Sequence, residues 1–380
     1  MSENPILSKP KKLIEEFFQL AEEDAERIVK TLEGDMHLFK SLQPHLSAAL
    51  KPVKERFDDD FRVAAVDGSC TPAPAMKVGV GVSVITAGYM ISEGKEMVEC
   101  DYIADSLVDR TGRRLDFKSR LKMRVLERRM AEKVLGRKVD LLIIDGSFLF
   151  PLSPEWYYSM PPESKRAVDE IYAITRRLAE SGRVIGVIKR SMLQAIEAYA
   201  IFKGQLNPAD ARLVRDKYVL DWLMSPRSAW LYEDYTEGED PAVLSRCLDR
   251  LIEEKAETSE DMKRILEEEK ERFRAVREAF GIGNVDFRRA YIRAYADAPP
   301  FEVEYPASLD ILEVAGKLLP FCNEATGLPF ILDLIDHDIG VEENLMRAYI
   351  EEVHARALDK TLRRKELKSM FNPLNPEKDI

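Results

Sequence analysis

The chain has 380 residues, of which 45% are hydrophobic and 33% are charged, so it is long enough for one large domain with insertions or for two domains. Its formal net charge of −11 argues against a protein that coats nucleic acid non-specifically, although a local basic groove is compatible with this total. No apolar run approaches the length of a membrane span, and the N-terminus lacks the apolar core of a signal peptide. The four cysteines are far apart and form no CxxC pair, which favours a reducing, cytoplasmic compartment and disfavours a structural zinc site.

The N-terminal segment, residues 1–55, is predicted to be helical. Apolar residues recur at helical spacing from about residue 8, with glutamates and a lysine on the opposite face. A second helical run is predicted from about Met36 to Leu50, broken by Pro44. Residues 8–50 are therefore expected to form two helices.

Two short apolar runs end in the same tripeptide, Asp-Gly-Ser. The first run leads to Asp67 and the second to Asp145. An apolar run closed by glycine is typical of a buried strand, so each aspartate is predicted at the C-terminal end of a strand, where open α/β sheets bind ligands. A single Asp-Gly is equally compatible with an ordinary turn, but two copies on apolar strands favour a shared site.

Further strands are predicted within the core, residues 56–191. Runs over 78–86 and 96–103 follow the first strand with short turns, which favours an antiparallel meander over βαβ units. A fifth strand over 184–191 carries Lys189 near its end, where the ammonium group could meet a phosphate or lie in solvent.

Residues 110–138 are the most basic stretch of this acidic chain and are predicted to be helical in their central and later part. Twelve bases accompany only three acids, Asp116, Glu127 and Glu132. Charge runs are usually solvated helix faces, but this concentration of bases is about as compatible with a polyanion-binding stripe. The bases are Arg110, Arg113, Arg114, Lys118, Arg120, Lys122, Arg124, Arg128, Arg129, Lys133, Arg137 and Lys138.

The C-terminal half is predicted to contain a charged helical insertion over residues 192–285. Apolar residues at helical spacing among dense Glu and Lys suggest a hairpin that would serve as a dimer arm. Residues 286–380 are expected to return to the sheet and to close with a helix over 342–359. Asp336 and His337 lie here, on a segment compatible with either a strand or a helix.

The order of carboxylates along these elements resembles the ribonuclease H-like fold, an α/β fold with a mixed sheet flanked by helices. In that fold, carboxylates on the first strand, the first helix and the fourth strand converge to hold two divalent cations, which stabilise both the attacking and the leaving oxygen of a phosphodiester. We therefore expect Asp67, Glu127 and Asp145 to meet. Glu132 competes with Glu127 for the helix position, and an ordinary ion pair between Glu127 and Arg124 is the alternative to a metal role.

The motifs at 65–69, 143–147 and 185–191, together with the segment 327–330, resemble the NurA family of prokaryotic nucleases over roughly residues 60–345. The resemblance implies a manganese-dependent nuclease that acts on DNA ends, with 5′-to-3′ exonuclease and single-strand endonuclease activities. It also implies a homodimer that works with HerA, a hexameric ATP-driven DNA translocase, in end resection during double-strand-break repair.

The resemblance assigns the metal-binding positions to Asp67, Glu127 and Asp145. Either Asp336 or His337 takes the last position of the family's site, as a metal ligand or as a proton donor. Carboxylate oxygens accept magnesium as well as manganese, so the choice of manganese follows from the family.

The expected DNA contacts involve Lys189, Arg113, Arg114, Arg120 and an exposed aromatic residue such as Tyr157. Lys189 would orient or neutralise the scissile phosphate, and the arginines would follow the backbone of the strand. Tyr157 would stack on bases.

Two other functions are compatible with parts of the pattern. An actin-like or sugar-kinase-like ATPase also places phosphate loops after strand aspartates, but the chain has neither a convincing Asp-x-Gly-Thr motif nor a P-loop. A non-catalytic adaptor of a DNA motor, with a degenerate metal site, is the second alternative.

Overall fold

The structure is a computed structural model that describes residues 9–71, 75–77, 80–110, 115–149, 154–256 and 258–361. Within these ranges, ten strands form one mixed sheet. The strands are β1 Leu50–Pro52, β2 Arg62–Cys70, β3 Ala75–Lys77, β4 Val80–Glu93, β5 Glu96–Asp109, β6 Leu141–Asp145, β7 Val184–Ile188, β8 Ser228–Leu231, β9 Phe287–Arg293 and β10 Phe301–Pro306. The order across the sheet is β1-β8-β9-β10-β7-β6-β2-β4, and β4 also pairs with both β3 and β5.

Helices cover both faces of this sheet. They are α1 Lys11–Leu46, α2 Leu115–Leu135, α3 Pro154–Ser159, α4 Pro162–Glu180, α5 Ala195–Phe202, α6 Asp216–Leu223, α7 Tyr232–Thr236, α8 Pro241–Glu253, α9 Ser259–Ala279, α10 Ile311–Leu318, α11 Phe330–Ile339 and α12 Glu343–Thr361. The predicted helix over 342–359 is confirmed as α12.

The centre of the sheet has the predicted ribonuclease H-like arrangement. β2, β4 and β5 form the antiparallel meander, and β6 and β7 run parallel to β2 on its other side. Val66 of β2 lies opposite Ile144 of β6. Because parallel strands end at the same edge of a sheet, this register brings the two following residues, Asp67 and Asp145, to one edge.

Alternate residues of β2 and β6 face two different helical layers. Ala65 and Ile143 pack in a buried cluster with α10 and α11, whereas their neighbours in the chain pack with α2 and α4. Strands that are buried on both faces have continuous apolar sequences, and β2 and β6 both show this pattern. Asp67 and Asp145 continue the series of Ala65 and Ile143, so they point to the face that carries α11.

Two predicted elements differ from the structure, and strand β10 was not predicted. α1 is one helix instead of two, because Pro44 lies in its last turn, where the missing N–H affects only the end of the helix. The range 192–285 is not wholly helical, since it contains β8, which pairs with β1 and β9 and is too short to show a periodicity. β10 was not predicted because Glu302 and Glu304 interrupt its apolar pattern, although both are buried.

The charged helices α8 and α9 pack on the body of the protein, so the hairpin does not extend as the predicted arm. Leu248 of α8 and Ile265 of α9 share a buried cluster with Leu42 of α1 and Trp230 of β8. The charges of the hairpin pair with one another, as Arg250 of α8 does with Glu254 directly after α8 and with two acids on α9.

Every helix within the described residues is too short or too polar to cross a membrane. The four cysteines are all free thiols.

Candidate metal centre

Three carboxylates meet at the edge of the sheet where β2 and β6 emerge. They belong to Asp67 of β2, Asp145 at the end of β6 and Asp336 of α11. One oxygen from each can be chosen so that the three atoms all lie within 4.8 Å of one another. The strands supply two of the acids because they are parallel, and α11 supplies the third because it packs against β2.

The two Asp-Gly-Ser tripeptides have different local structures. Gly146 has a φ of +93°, which favours glycine, and its N–H donates to the carbonyl of Val187 at 2.7 Å, so the chain turns directly after Asp145. β2 does not end at Asp67 as predicted, because Gly68 and the two residues after it continue to pair with β4.

Gly68 is needed for close packing of α2 and not for a turn. A Cβ at this position would lie 3.0 Å from Cγ of Met123 and 3.4 Å from Oε2 of Glu127. The absence of a side chain therefore lets the Glu127 carboxylate approach β2 from the face opposite α11.

Glu127 lies beside the three carboxylates but is not one of them. Its side chain is 1% exposed and accepts a hydrogen bond from Arg128 at 2.6 Å and one from Arg124 at 3.4 Å. The expected pair with Arg124 exists, but it is buried in part and not a surface pair. Glu132 pairs instead with Arg177 of α4 and is 41% exposed, so the structure places Glu127, and not Glu132, next to Gly68.

The buried acids strongly repel one another. The pKa of Asp67 is raised from 3.8 to about 9, first by burial and then by the charges of Asp145 and Glu127. Burial also raises the pKa of Asp145, against the opposing effect of Lys189, and the pKa of Glu127, against that of Arg124. A cation bound among these oxygens would relieve the repulsion.

Lys189 already supplies one positive charge to this group. Its Nζ lies 3.0 Å from Oδ2 of Asp145 and donates to Oδ2 of Asp336 at 2.8 Å. The side chain is 21% exposed, so Lys189 is partly buried and in contact with the acids, and it does not simply extend into solvent. It lies at the rim of the carboxylate group, between Asp145 and Asp336.

Asp336 and His337 point in different directions because successive residues of a helix are about 100° apart. The Asp336 carboxylate joins the acid group, whereas the His337 side chain is 87% exposed and lies 3.3 Å from Asp338. Asp338 itself accepts a hydrogen bond from Tyr102 at 2.8 Å.

Most of the bases in the predicted polyanion-binding stripe have acidic partners. Lys118 and Lys122 pair with Asp109 and Asp105 of β5, and Arg120 pairs with an acid within α2 at 3.0 Å. Further pairs involve Arg129, Lys133 and Arg137. The α2 bases therefore neutralise the acidic surface of β5 and α4, while Arg113 and Arg114 lie outside the described residues.

Tyr157 is held by other groups in the protein. Its hydroxyl donates to Asp169 at 2.7 Å, and its ring packs edge-to-face on Phe280 with centroids 4.9 Å apart. Lys165 also lies over this ring, with Nζ 5.8 Å from the centroid, so a base that stacked on Tyr157 would have to displace contacts within the protein.

A buried network of hydrogen bonds and ion pairs next to Glu127 was not predicted from the sequence. Arg128 is 1% exposed and donates to Glu127 and to the carbonyl of Ser147 at 3.0 Å. The Ser147 hydroxyl donates to Glu304 at 2.7 Å, and Glu304 accepts from Arg289 at 2.7 Å. The available signal was the helical spacing of Arg124, Glu127 and Arg128, which puts one acid between two bases on the same side of α2.

The donor set fits a hard divalent cation. It consists of carboxylate oxygens only, with Asp67 buried, Asp145 partly buried and Asp336 exposed, and its three carboxylates outnumber the one ammonium group of Lys189. Such oxygen ligands suit magnesium or manganese, whereas zinc sites in proteins usually include nitrogen or sulfur.

The raised pKa of Asp67 predicts a pH-dependent stability of the metal-free protein. Asp67 stabilises the fold fully only below its unfolded pKa of 3.8, and this contribution is lost as the pH rises towards about 9. Asn at this position cannot ionise, so the variant Asp67→Asn does not lose this contribution. In EDTA, its free energy of unfolding should increasingly exceed that of the wild type from about pH 5 to about pH 8.5, by on the order of 2 kcal/mol at the upper end. Thermal unfolding of both proteins across this range measures the difference, and a constant difference would contradict the prediction.

Comparisons with known proteins agree with this geometry. A family model described as the NurA domain matches residues 61–340. Among solved structures, the NurA nuclease from Sulfolobus solfataricus is 14% identical with a TM-score of 0.61, over 93% of this chain and 98% of that one. A structure of NurA bound to dAMP and manganese is 11% identical with a TM-score of 0.54, over 91% of this chain and 99% of that one.

Another NurA structure has a TM-score of 0.54 at 11% identity, over 90% of this chain and 99% of that one. The comparison with curated proteins gives no significant match. At these identities the structural matches establish the fold.

Proposed function

The chain belongs to the NurA family, and from this we propose that it is a manganese-dependent deoxyribonuclease with 5′-to-3′ exonuclease and single-strand endonuclease activities. The observation that carries the proposal is the meeting of Asp67, Asp145 and Asp336 at one sheet edge, within reach of a common ion. A relative of the same fold was solved with manganese and dAMP, which supports both the metal and the class of substrate.

In this proposal, Asp67, Asp145 and Asp336 hold manganese, and magnesium can replace it. When bound, the metal acidifies a water molecule and stabilises the charge that develops at the phosphodiester. Glu127, fixed by Arg124 and Arg128, adds a fourth carboxylate on the α2 side of Gly68 and would serve as a ligand if the site held a second ion.

Lys189 is proposed to position the scissile phosphate. Its ammonium group lies at the rim of the acid group, with Asp145 and Asp336 as its present partners. A phosphate oxygen at the rim would accept a hydrogen bond from Nζ, which would orient the phosphodiester towards the carboxylates.

A nuclease assay tests the proposed activity. Duplex and single-stranded DNA labelled at either end should be degraded from the 5′ end in manganese, circular single strands should be opened, and EDTA should stop both reactions. Absence of cutting on all substrates would favour the adaptor, and ATP turnover by the isolated chain would favour the kinase-like alternative.

The assay also separates Asp336 from His337. We expect Asp336→Asn to lower the cutting rate by about a hundredfold, since it removes one carboxylate from the metal-binding group. His337→Ala should stay within about twofold of the wild type, because this exposed side chain pairs with Asp338, which is not one of the three grouped carboxylates. The reverse order of effects would assign the family's last position to His337.

A homodimer is proposed to form through α1. The first part of this helix lies in solvent with apolar side chains exposed, and Phe18, Ile28 and Leu32 are 57%, 58% and 59% exposed. Exposed apolar stripes of this kind usually mark an interface. In sedimentation velocity, Phe18→Glu combined with Ile28→Glu should convert the dimer to a monomer. The control Glu22→Lys, on the same helix, should stay dimeric. A monomeric wild type would contradict the proposal.

We further propose that the protein works with a HerA-type hexameric translocase in DNA end resection. Membership of the NurA family supports this partnership. Resection of long duplex ends should then require both proteins and ATP, and a rate that is unchanged by the translocase would contradict it.

A further inference from the structure

A cavity of about 460 Å³ lies on the face of the sheet opposite Asp67 and Asp145. It opens beyond the ends of β6 and β7 and is enclosed by α4, α8 and α9. Ser147, which lines it, is two residues after Asp145, and Arg190, which also lines it, directly follows Lys189. Two strand ends therefore separate the cavity from the candidate metal centre.

The inner wall of the cavity is apolar and partly aromatic. Leu149, Tyr172, Phe273 and Val276 form much of it. Planar surfaces and aliphatic groups of this kind accept the face of a nucleic acid base without requiring one particular base. The volume lies within the usual range for small-molecule sites, roughly 300 to 1,000 Å³.

Arginines make the cavity basic. Within the described residues, Arg190 and Arg246 have no acidic partner within salt-bridge distance. Arg277 lies over the Phe273 ring at 5.9 Å, and its Nε is buried without a hydrogen-bond partner. Three guanidinium groups beside an apolar wall would complement a phosphate attached to a flat, apolar group.

The acids in the wall do not cancel this charge. Glu302 and Glu304 share Arg289, so this group has one formal negative charge against the three positive charges of Arg190, Arg246 and Arg277. Asp249 is an exposed residue at the rim. The positive charge of Arg190, Arg246 and Arg277 is therefore available to an anion that enters the cavity.

We propose that this cavity binds one nucleotide of the DNA strand that is being cut, an inference that rests on the proposed nuclease function. The base lies against Phe273 and the apolar wall, and the attached phosphate contacts Arg190 and Arg246. Because Lys189 and Arg190 are adjacent and face opposite sides, a strand held by Arg190 passes over the sheet edge next to Lys189 and the carboxylates.

The buried network links this cavity to the candidate metal centre. Arg289 donates to Glu304 and lies 3.3 Å from the Ser147 hydroxyl, and the Ser147 carbonyl accepts from Arg128, the partner of Glu127. The wall of the cavity and the carboxylate on α2 are thus fixed relative to each other.

Binding measured in EDTA tests the proposal without any cutting. The probe is a short 5′-phosphorylated oligodeoxynucleotide with a 3′ fluorophore, followed by anisotropy, with dAMP binding followed by calorimetry. Arg246→Glu and Ala242→Phe, which reverse a charge and fill the cavity, should each weaken oligonucleotide binding by about tenfold. Lys263→Glu, an equal change of charge on an exposed part of α9, should bind as the wild type does.

Arg246→Gln removes the positive charge without adding a negative one and should weaken binding in the same direction, so a folding defect of one variant does not decide the result. If the cavity variants lose dAMP but bind the oligonucleotide normally, the site belongs to a free nucleotide and the assignment to the strand is overturned. If they bind both probes as the wild type does, the whole proposal is overturned. Because no metal is present, each result stands whatever the nuclease assay gives.

Discussion

Asp67→Asn is expected to lower manganese-dependent DNA cutting by at least about a thousandfold, the largest effect on activity of any single change considered. The side chain is 4% exposed and its carboxylate lies among those of Asp145, Asp336 and Glu127. Asn has the same size but carries no charge, so it replaces an anionic carboxylate ligand with a neutral amide while keeping the packing of β2. Initial rates on end-labelled DNA at saturating manganese measure the effect.

Asp338→Asn is the matched control, because Asp338 lies two residues from Asp336 but its partners are Tyr102 and His337. It should cut DNA within about twofold of the wild type, since it leaves the carboxylate group intact. Cutting by Asp67→Asn at a rate close to that of the wild type would place the reaction elsewhere on the protein.

Arg128→Met is expected to destabilise the fold by about 3 to 5 kcal/mol, because it leaves Glu127 buried without its closest counter-charge. Arg128 is 1% exposed and also donates to the Thr175 hydroxyl and to the carbonyl of Ser147. Methionine fills a similar volume, so the loss reflects charge and hydrogen bonds more than packing. Denaturant unfolding followed by circular dichroism measures the free energy of unfolding.

Arg129→Met is the control for this change. Arg129 is the next residue of α2, is 57% exposed and pairs with Glu170 at the surface. Exposed pairs contribute about 0 to 1 kcal/mol, so the control should stay near the wild type. Adding Glu127→Gln to Arg128→Met should restore part of the stability, and equal stabilities for Arg128→Met and Arg129→Met would contradict the buried pair.

The parts of the fold that could be predicted are those encoded by local pattern. The apolar runs that lead to Asp67 and Asp145 are continuous because both faces of β2 and β6 are covered. Because both runs end in Asp-Gly-Ser, a shared site at one edge of the sheet was predicted, and the structure places both aspartates at one edge. Even so, the tripeptide did not reveal that Gly146 turns the chain whereas Gly68 makes room for α2.

Features that depend on contacts between distant elements could not be predicted. The choice between Asp336 and His337 depends on how α11 is rotated about its own axis where it packs on β2. The spacing of apolar residues along α11 does not determine this rotation closely enough to choose between two successive residues. The bases of α2 looked like a polyanion-binding stripe because their partners on β5, such as Asp101 for Lys133, are remote from them in the sequence. β10 escaped detection because its buried Glu304 is compensated by an arginine on another strand.

The central claim is that acids from β2, β6 and α11 hold a common divalent ion, and anomalous diffraction from crystals soaked in manganese tests it most directly. We predict a manganese peak bonded to oxygens of Asp67, Asp145 and Asp336, with Glu127 beside the metal site and Lys189 drawn away from Asp145. Crystals of Asp67→Asn should lack the peak. A wild-type crystal that binds manganese only at other acids, with these side chains unchanged, would contradict the claim.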